Sequence, residues 1–375
     1  MYLLVFGLAL STTLLLVPLA DWLGKRFGIT AKPGGRRLSE ADARRVSKLG
    51  GVALFGGFVI AALAAQLLPV PRLDGYEIIR LIGLLLGGVI IFIVGLLDDI
   101  YELSALAQFL GQSAAAAIAI LFQIFIEYFN NPLTGQQTPS WPFIVTVALS
   151  YFWLMGMMNT MNWLDGADGL AGGVTLIAGA TLFINSAFRV EPAQASVSLL
   201  HLALIGTALG FVIYNFYPAR IFMGGGATFL GYTLGALAII GGAKMATILL
   251  VMGLPLLDSF WQVVTRLRKG RSPFVGDRGH LHFRLIDMGV SQRQLVIGYY
   301  IFCALFGVLT LITGSQLFKF VALGVMALIV VIGFLLLNRY GRASSPSDSS
   351  ALASPLPSTS SSSTSSSSSS SSTSD

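Results

Sequence analysis

Apolar and polar positions alternate in long blocks along this chain. Eleven apolar stretches recur, near 2–22, 49–68, 80–97, 104–127, 141–158, 169–187, 194–214, 226–242, 244–263, 293–314 and 317–337. Each is close to the roughly 20 residues a helix needs to cross a bilayer. The pattern predicts an all-α polytopic membrane protein with about 11 transmembrane helices. Gly242 and Ala243 alone separate the eighth and ninth runs, and merging those two would give ten. The first run lacks a small-residue cleavage site with the right flanks, so it reads as a retained span.

Charge gives the runs an orientation. With eleven spans and the N-terminus outside, eighteen Lys/Arg fall on inward segments, and Arg72, Arg80, Arg189, Lys244 and Lys319 fall on outward ones. This bias puts the N-terminus outside and the tail in the cytoplasm. The net charge of +6 then reflects topology and contact with anionic membrane lipids, with no nucleic-acid partner. Cys303 is the only cysteine, which excludes a disulfide framework. Residues 1–340 read as the membrane domain. Residues 341–375, rich in Ser and Thr, hold too little apolar surface to fold and read as a disordered tail.

Against 55% hydrophobic and 11% charged residues, one segment stands apart. Met157–Gly173 gathers Asn159, Asn162, Asp165 and Asp168 within ten residues, interleaved with glycines. Polar groups next to a bilayer are costly unless paired, hydrated or bound to a ligand. Amide and carboxylate oxygens suit a hard cation such as Mg²⁺, and glycines let backbone approach a ligand. A plain polar loop would not concentrate oxygen ligands in this way.

The other inward loops carry complementary groups. Asp98 and Asp99 end the third run, and adjacent carboxylates repel unless a cation or proton compensates. A basic loop spans 24–51, NFYPARIFMGGG follows the seventh run, and TRLRKGRSPFVGDRGHLHFRL follows the ninth. His280 and His282 lie at i, i+2, which is not the helical zinc spacing, so phosphate contact or proton transfer fits them better. Asp258, just after Pro255, reads equally as a cavity-lining acid or a hydrogen-bonded structural one. Acids, Mg²⁺ and arginines on one face can hold a pyrophosphate. This suits a cytosolic phosphorylated donor and a lipid-embedded acceptor.

Over about residues 20–295 the chain resembles the polyprenyl-phosphate sugar-1-phosphate transferases (glycosyltransferase family 4). The resemblance rests on LLDDIYELS, NTMNWLDGADGLAGG, NFYPARIFMG and DRGHLHFRL. The last is similar to the branch that uses UDP-N-acetylglucosamine or related UDP-sugars. The resemblance implies transfer of a sugar-1-phosphate, N-acetylglucosamine-1-phosphate foremost, from a UDP-sugar to undecaprenyl phosphate with release of UMP. It implies a multi-pass enzyme of the bacterial inner membrane with a cytoplasm-facing site, serving a cell-envelope polysaccharide. Asp98, Asp99, Asp165, His280 and His282 would be catalytic. Asp168, Asn215 and Phe222 would hold the nucleotide, with Phe222 on the uracil. Asn159 and Arg278 would meet phosphate or sugar, and Asn162, Asp99 and Asp165 would hold Mg²⁺, with Mn²⁺ as an alternative. A homodimer is an open alternative to a monomer.

The chain departs from the family pattern at several positions. The usual FMGD becomes FMGG, so the run Phe222-Met223-Gly224-Gly225-Gly226 lacks the aspartate that binds metal in the family. Ala31, Ser39, Gln108 and Phe283 stand where Asp, His, Lys and His are usual. An active transferase is one reading. A weak or inactive homologue that binds lipid phosphate or UDP-sugar is the second. A transporter is a third, and it would need ionisable residues at mid-membrane depth.

Overall fold

In the computed structural model the described residues are 1–31, 45–128, 131, 133–134, 136–242, 245–270 and 279–343, with side chains to 337. Arg278, Ser39 and the Ser/Thr-rich tail lie outside them. The helices are α1 (Tyr2–Phe27), α2 (Gly50–Ala65), α3 (Glu77–Tyr101), α4 (Ala105–Leu121), α5 (Phe143–Leu164), α6 (Leu170–Ile184), α7 (Ala195–Asn215), α8 (Gly226–Ile240), α9 (Met245–Val251), α10 (Gly253–Arg268), α11 (Leu281–Asp287), α12 (Gln292–Ile312) and α13 (Gln316–Ala343). A π-helical turn, Asn185–Arg189, continues α6. Among the described residues there are no strands, only isolated bridges of Ser47 to Thr30 and to Ile221.

Among the described residues, seven helices are long and apolar enough to cross a membrane, or up to eight if the bent pair α9–α10 is one span. The apolar helices α2, α4 and α8 are shorter. The expected ninth span, 244–263, is not one straight helix: it breaks at Met252 and bends by 80°. Gly253 at the break lies against the Met326 side chain. Pro255 sits in the first turn of α10, where a missing N–H costs no helical bond.

Local rules set the helix ends. Gly28, at φ 72, closes α1 with its N–H on Gly24 O, the left-handed cap that glycine adopts without strain. Ser104 caps α4 by accepting from Ala107 N, and Ser291 with Gln294 forms a capping box on α12.

The chain divides into two units, Met1–Val331 and Ile332–Asp375. In the first unit the core lies around α8, every residue of which is buried. A helix apolar on all sides belongs inside a protein or membrane. Its neighbours are α5, α3, α2, α6 and α7. Glycines allow the close approach: Gly225 lies on the Gly95 backbone and Gly226 on Gly51, the small-residue packing common between membrane helices. At 15 residues α8 is about 22 Å long, short of a hydrocarbon core of about 30 Å. The non-helical backbone before it is therefore covered by protein.

Candidate functional site

The end of α3 meets the turn before α8. Asp99 Oδ2 accepts from Gly225 N at 2.9 Å, so an acid from one helix caps the positive end of another. Gly224, at φ 57, lies so close to the Asp99 carboxylate that a Cβ there would collide with it. The three-glycine turn thus closes directly on Asp99. Asp98 Oδ1 accepts from Gln108 Nε2 at 2.8 Å. Gln108 therefore supplies at this position a hydrogen bond without a charge. An apolar cleft lined by Val52, Phe92 and Leu96 also reaches Asp99 and Gly225.

The Asn/Asp segment runs from the end of α5 into α6. Asn159 Nδ2 donates to Gln112 Oε1 and to Met155 O, both at 2.8 Å. Asn162 is half-buried. Asp165 is the C-terminal cap of α5, with its N–H on Met161 O. Asp168 Oδ2 accepts from Ala219 N at 3.0 Å. Asn215 Oδ1 accepts from Gly169 N at 3.0 Å while its Nδ2 donates to Ile221 O at 2.8 Å. Asp168 and Asn215 thus tie the segment to the 215–221 loop. Tyr300, from α12, donates to Gly169 O at 2.6 Å. Sequence reasoning missed this brace, because nothing local to Tyr300 marks a partner 131 residues away.

Phe222 is 1% exposed and packs with Val46, Ala219 and Ala31. Its N–H meets Ser47 O and its carbonyl accepts from Gly50 N. In this conformation the ring is a core side chain rather than an open stacking face.

The histidines come to the other side of the Asn/Asp segment. The His280 ring lies 5.6 Å from that of Trp163 and 5.7 Å from that of His282. A side chain at Gly166 would collide with His282 Nε2 and meet Phe283. His282 is fully buried and neither ring nitrogen has a hydrogen-bond partner. Burial pushes its pKa down to about 4, with Asp258 opposing and His280 assisting. Asp258 receives His280 Nδ1 at 3.0 Å and Leu281 N at 3.0 Å. The equal choice the sequence left for Asp258 resolves to a hydrogen-bonded acid at the histidine segment. A spacing signal was present: Asp258, Gln262 and Arg266 fall at i, i+4 and i+8, one face of α10, and all are buried.

Among the described residues no group of three or more His, Cys, Asp or Glu is placed to hold a metal ion. Asn162 and Asp165 nonetheless offer an amide and a carboxylate oxygen one turn apart. Such a donor set suits Mg²⁺, which takes one or two protein carboxylates and completes its shell with water and substrate phosphates.

A family model described as "Glycosyl transferase family 4" matches residues 81–242. A decaprenyl-phosphate N-acetylglucosaminephosphotransferase of Mycolicibacterium smegmatis is 30% identical over 302 residues, 74% of this chain and 74% of the relative. A probable undecaprenyl-phosphate N-acetylglucosaminyl 1-phosphate transferase of Bacillus subtilis is 29% identical over 318 residues, 83% of this chain and 84% of the relative. A phospho-N-acetylmuramoyl-pentapeptide-transferase of Desulforamulus reducens is 30% identical over 336 residues, 83% and 94%. This chain belongs to glycosyl transferase family 4 and is a multi-pass membrane protein.

Proposed function

We propose that the chain transfers a sugar-1-phosphate, N-acetylglucosamine-1-phosphate foremost, from a UDP-sugar to undecaprenyl phosphate. The reading places about eleven spans in the bacterial inner membrane with the site facing the cytoplasm. A phosphate oxygen of the lipid forms a bond to the sugar-linked phosphorus, the bond from that phosphorus to the bridging oxygen breaks, and UMP leaves with that oxygen. A phosphate monoester is largely ionised near pH 7, so no strong base is needed. Asn162, Asp165 and Asp99 would hold Mg²⁺, which when bound offsets charge on the transferring phosphoryl group. Asp168 and Asn215 hold the loop that would receive the nucleotide, and Tyr300 braces it. Uracil stacking on Phe222 would require that ring to leave its packed position.

The observation that carries the reading is the Asn/Asp segment, braced by the 215–221 loop on one side and met by the histidine segment on the other. UMP release from UDP-N-acetylglucosamine, measured with and without undecaprenyl phosphate, tests it. Acceptor-dependent release is expected, and its absence overturns the reading. The second reading, a weak homologue, is favoured by the bond between Asp99 and Gly225 N, where the turn contributes no carboxylate. The transporter reading has less support, because Asp98, Asp99 and Asp165 lie at helix ends.

A further inference from the structure

Asp258 has no part in the roles assigned so far, yet it is 3% exposed and spends both oxygens on the histidine segment. One oxygen takes His280 Nδ1 and the other takes Leu281 N, each at 3.0 Å. The same face of α10 adds a second clamp: Gln262 Nε2 donates to Gly279 O, which also accepts from Arg284 Nε. One turn further, the Arg266 guanidinium lies 5.9 Å over the Trp163 ring of the Asn/Asp segment. Three consecutive turns of α10 therefore engage the histidine and Asn/Asp segments together.

We propose that Asp258 is a positioning residue that holds His280 for phosphoryl transfer, a step that rests on the transferase reading above. With the carboxylate accepting from Nδ1–H, the tautomer is fixed and Nε2 is the ring atom left for the substrate. Nε2 is then the position that gives or takes a proton at a phosphate oxygen. The second carboxylate oxygen, on Leu281 N, sets the start of α11 and hence the angle of the ring. Here a side chain and the adjacent backbone are held by the same group, as in histidines oriented for catalysis.

The test uses the full-length protein with UDP-N-acetylglucosamine and undecaprenyl phosphate. Asp258→Asn keeps an acceptor for Leu281 N and turns an amide toward Nδ1, which forces the other tautomer. It should lower kcat by at least about tenfold, toward the low end of what acid–base groups contribute, and leave KM for the donor within about twofold of the parent. His280→Ala should lower kcat comparably, and the double variant should fall no further than His280→Ala alone. Asp258→Glu keeps the carboxylate and should retain more kcat than Asp258→Asn, which serves as the measurement if the amide variant does not fold. A parent-like kcat in Asp258→Asn, losses that multiply in the double variant, or an Asp258→Glu kcat no better than that of Asp258→Asn overturns the proposal. No UMP release from the parent removes the transferase reading itself, an outcome distinct from any failure confined to the variants.

Discussion

The two flanks of the Asn/Asp segment are held in different ways. On the 215–221 side, Asp168 and Asn215 bond to backbone N–H and C=O groups and are almost wholly buried. On the histidine side Asp258, Gln262 and Arg284 also reach backbone groups, but one buried bond joins two side chains, Asp258 and His280, and His282 has two buried ring nitrogens with no partner. Buried polar groups in proteins are nearly always bonded. The first flank therefore reads as scaffold. The second carries unsatisfied groups of the kind tolerated where chemistry needs them.

Variants can break this comparison. The largest effect is expected where the acids meet the reaction centre. Asp98→Asn or Asp99→Asn should cut turnover by at least about a hundredfold, the scale of losing a key electrostatic contact. Thermal stability should barely change, because Asn still offers an oxygen to Gly225 N or to Gln108. Full activity in both would mean that these acids only cap helices. On the scaffold flank, Asn215→Ala strands Gly169 N and Ile221 O and should cost about 2 kcal/mol or more of stability, read as a lower melting temperature. A parent-like melting temperature with activity lost would move Asn215 from scaffold to ligand.

The smallest effect concerns His282. Its folded pKa of about 4 lies below the ordinary 6.5, so the unfolded chain binds the proton more readily. Stability from this group is full above about pH 6.5 and falls as pH drops toward 4. His282→Leu removes two unpartnered nitrogens, and its melting temperature should vary less across that window. An unchanged pH dependence would show that His282 does not titrate there.

Much of the fold was legible because burial in a bilayer demands long apolar runs, and each expected run carries a helix. The break at Met252 was not legible: the apolar run continues through Gly253, and the bend depends on what packs there, including Met326. At the site, residue types were legible and partners were not. Asn215 and Asp168 read as ligands because the sequence cannot say whether a buried amide or carboxylate meets substrate or backbone. Phe222 read as an open ring, but Val46 and Ala31, nearly 200 residues earlier in the chain, cover it. Asp258 was undecided for the same reason, since its partner lies 22 residues away.

The most direct measurement is UMP release against Mg²⁺ concentration for the parent and for a variant with Asp inserted between Gly224 and Gly225. The turn as it stands gives Asp99 a backbone N–H and no second carboxylate, which leaves the metal with fewer hard ligands. The account predicts slow, acceptor-dependent release by the parent at high Mg²⁺, and a faster rate at lower Mg²⁺ in the insertion variant. A parent that already matches the variant at low Mg²⁺ would contradict the role given to this turn, and no release by either form would contradict the transferase itself.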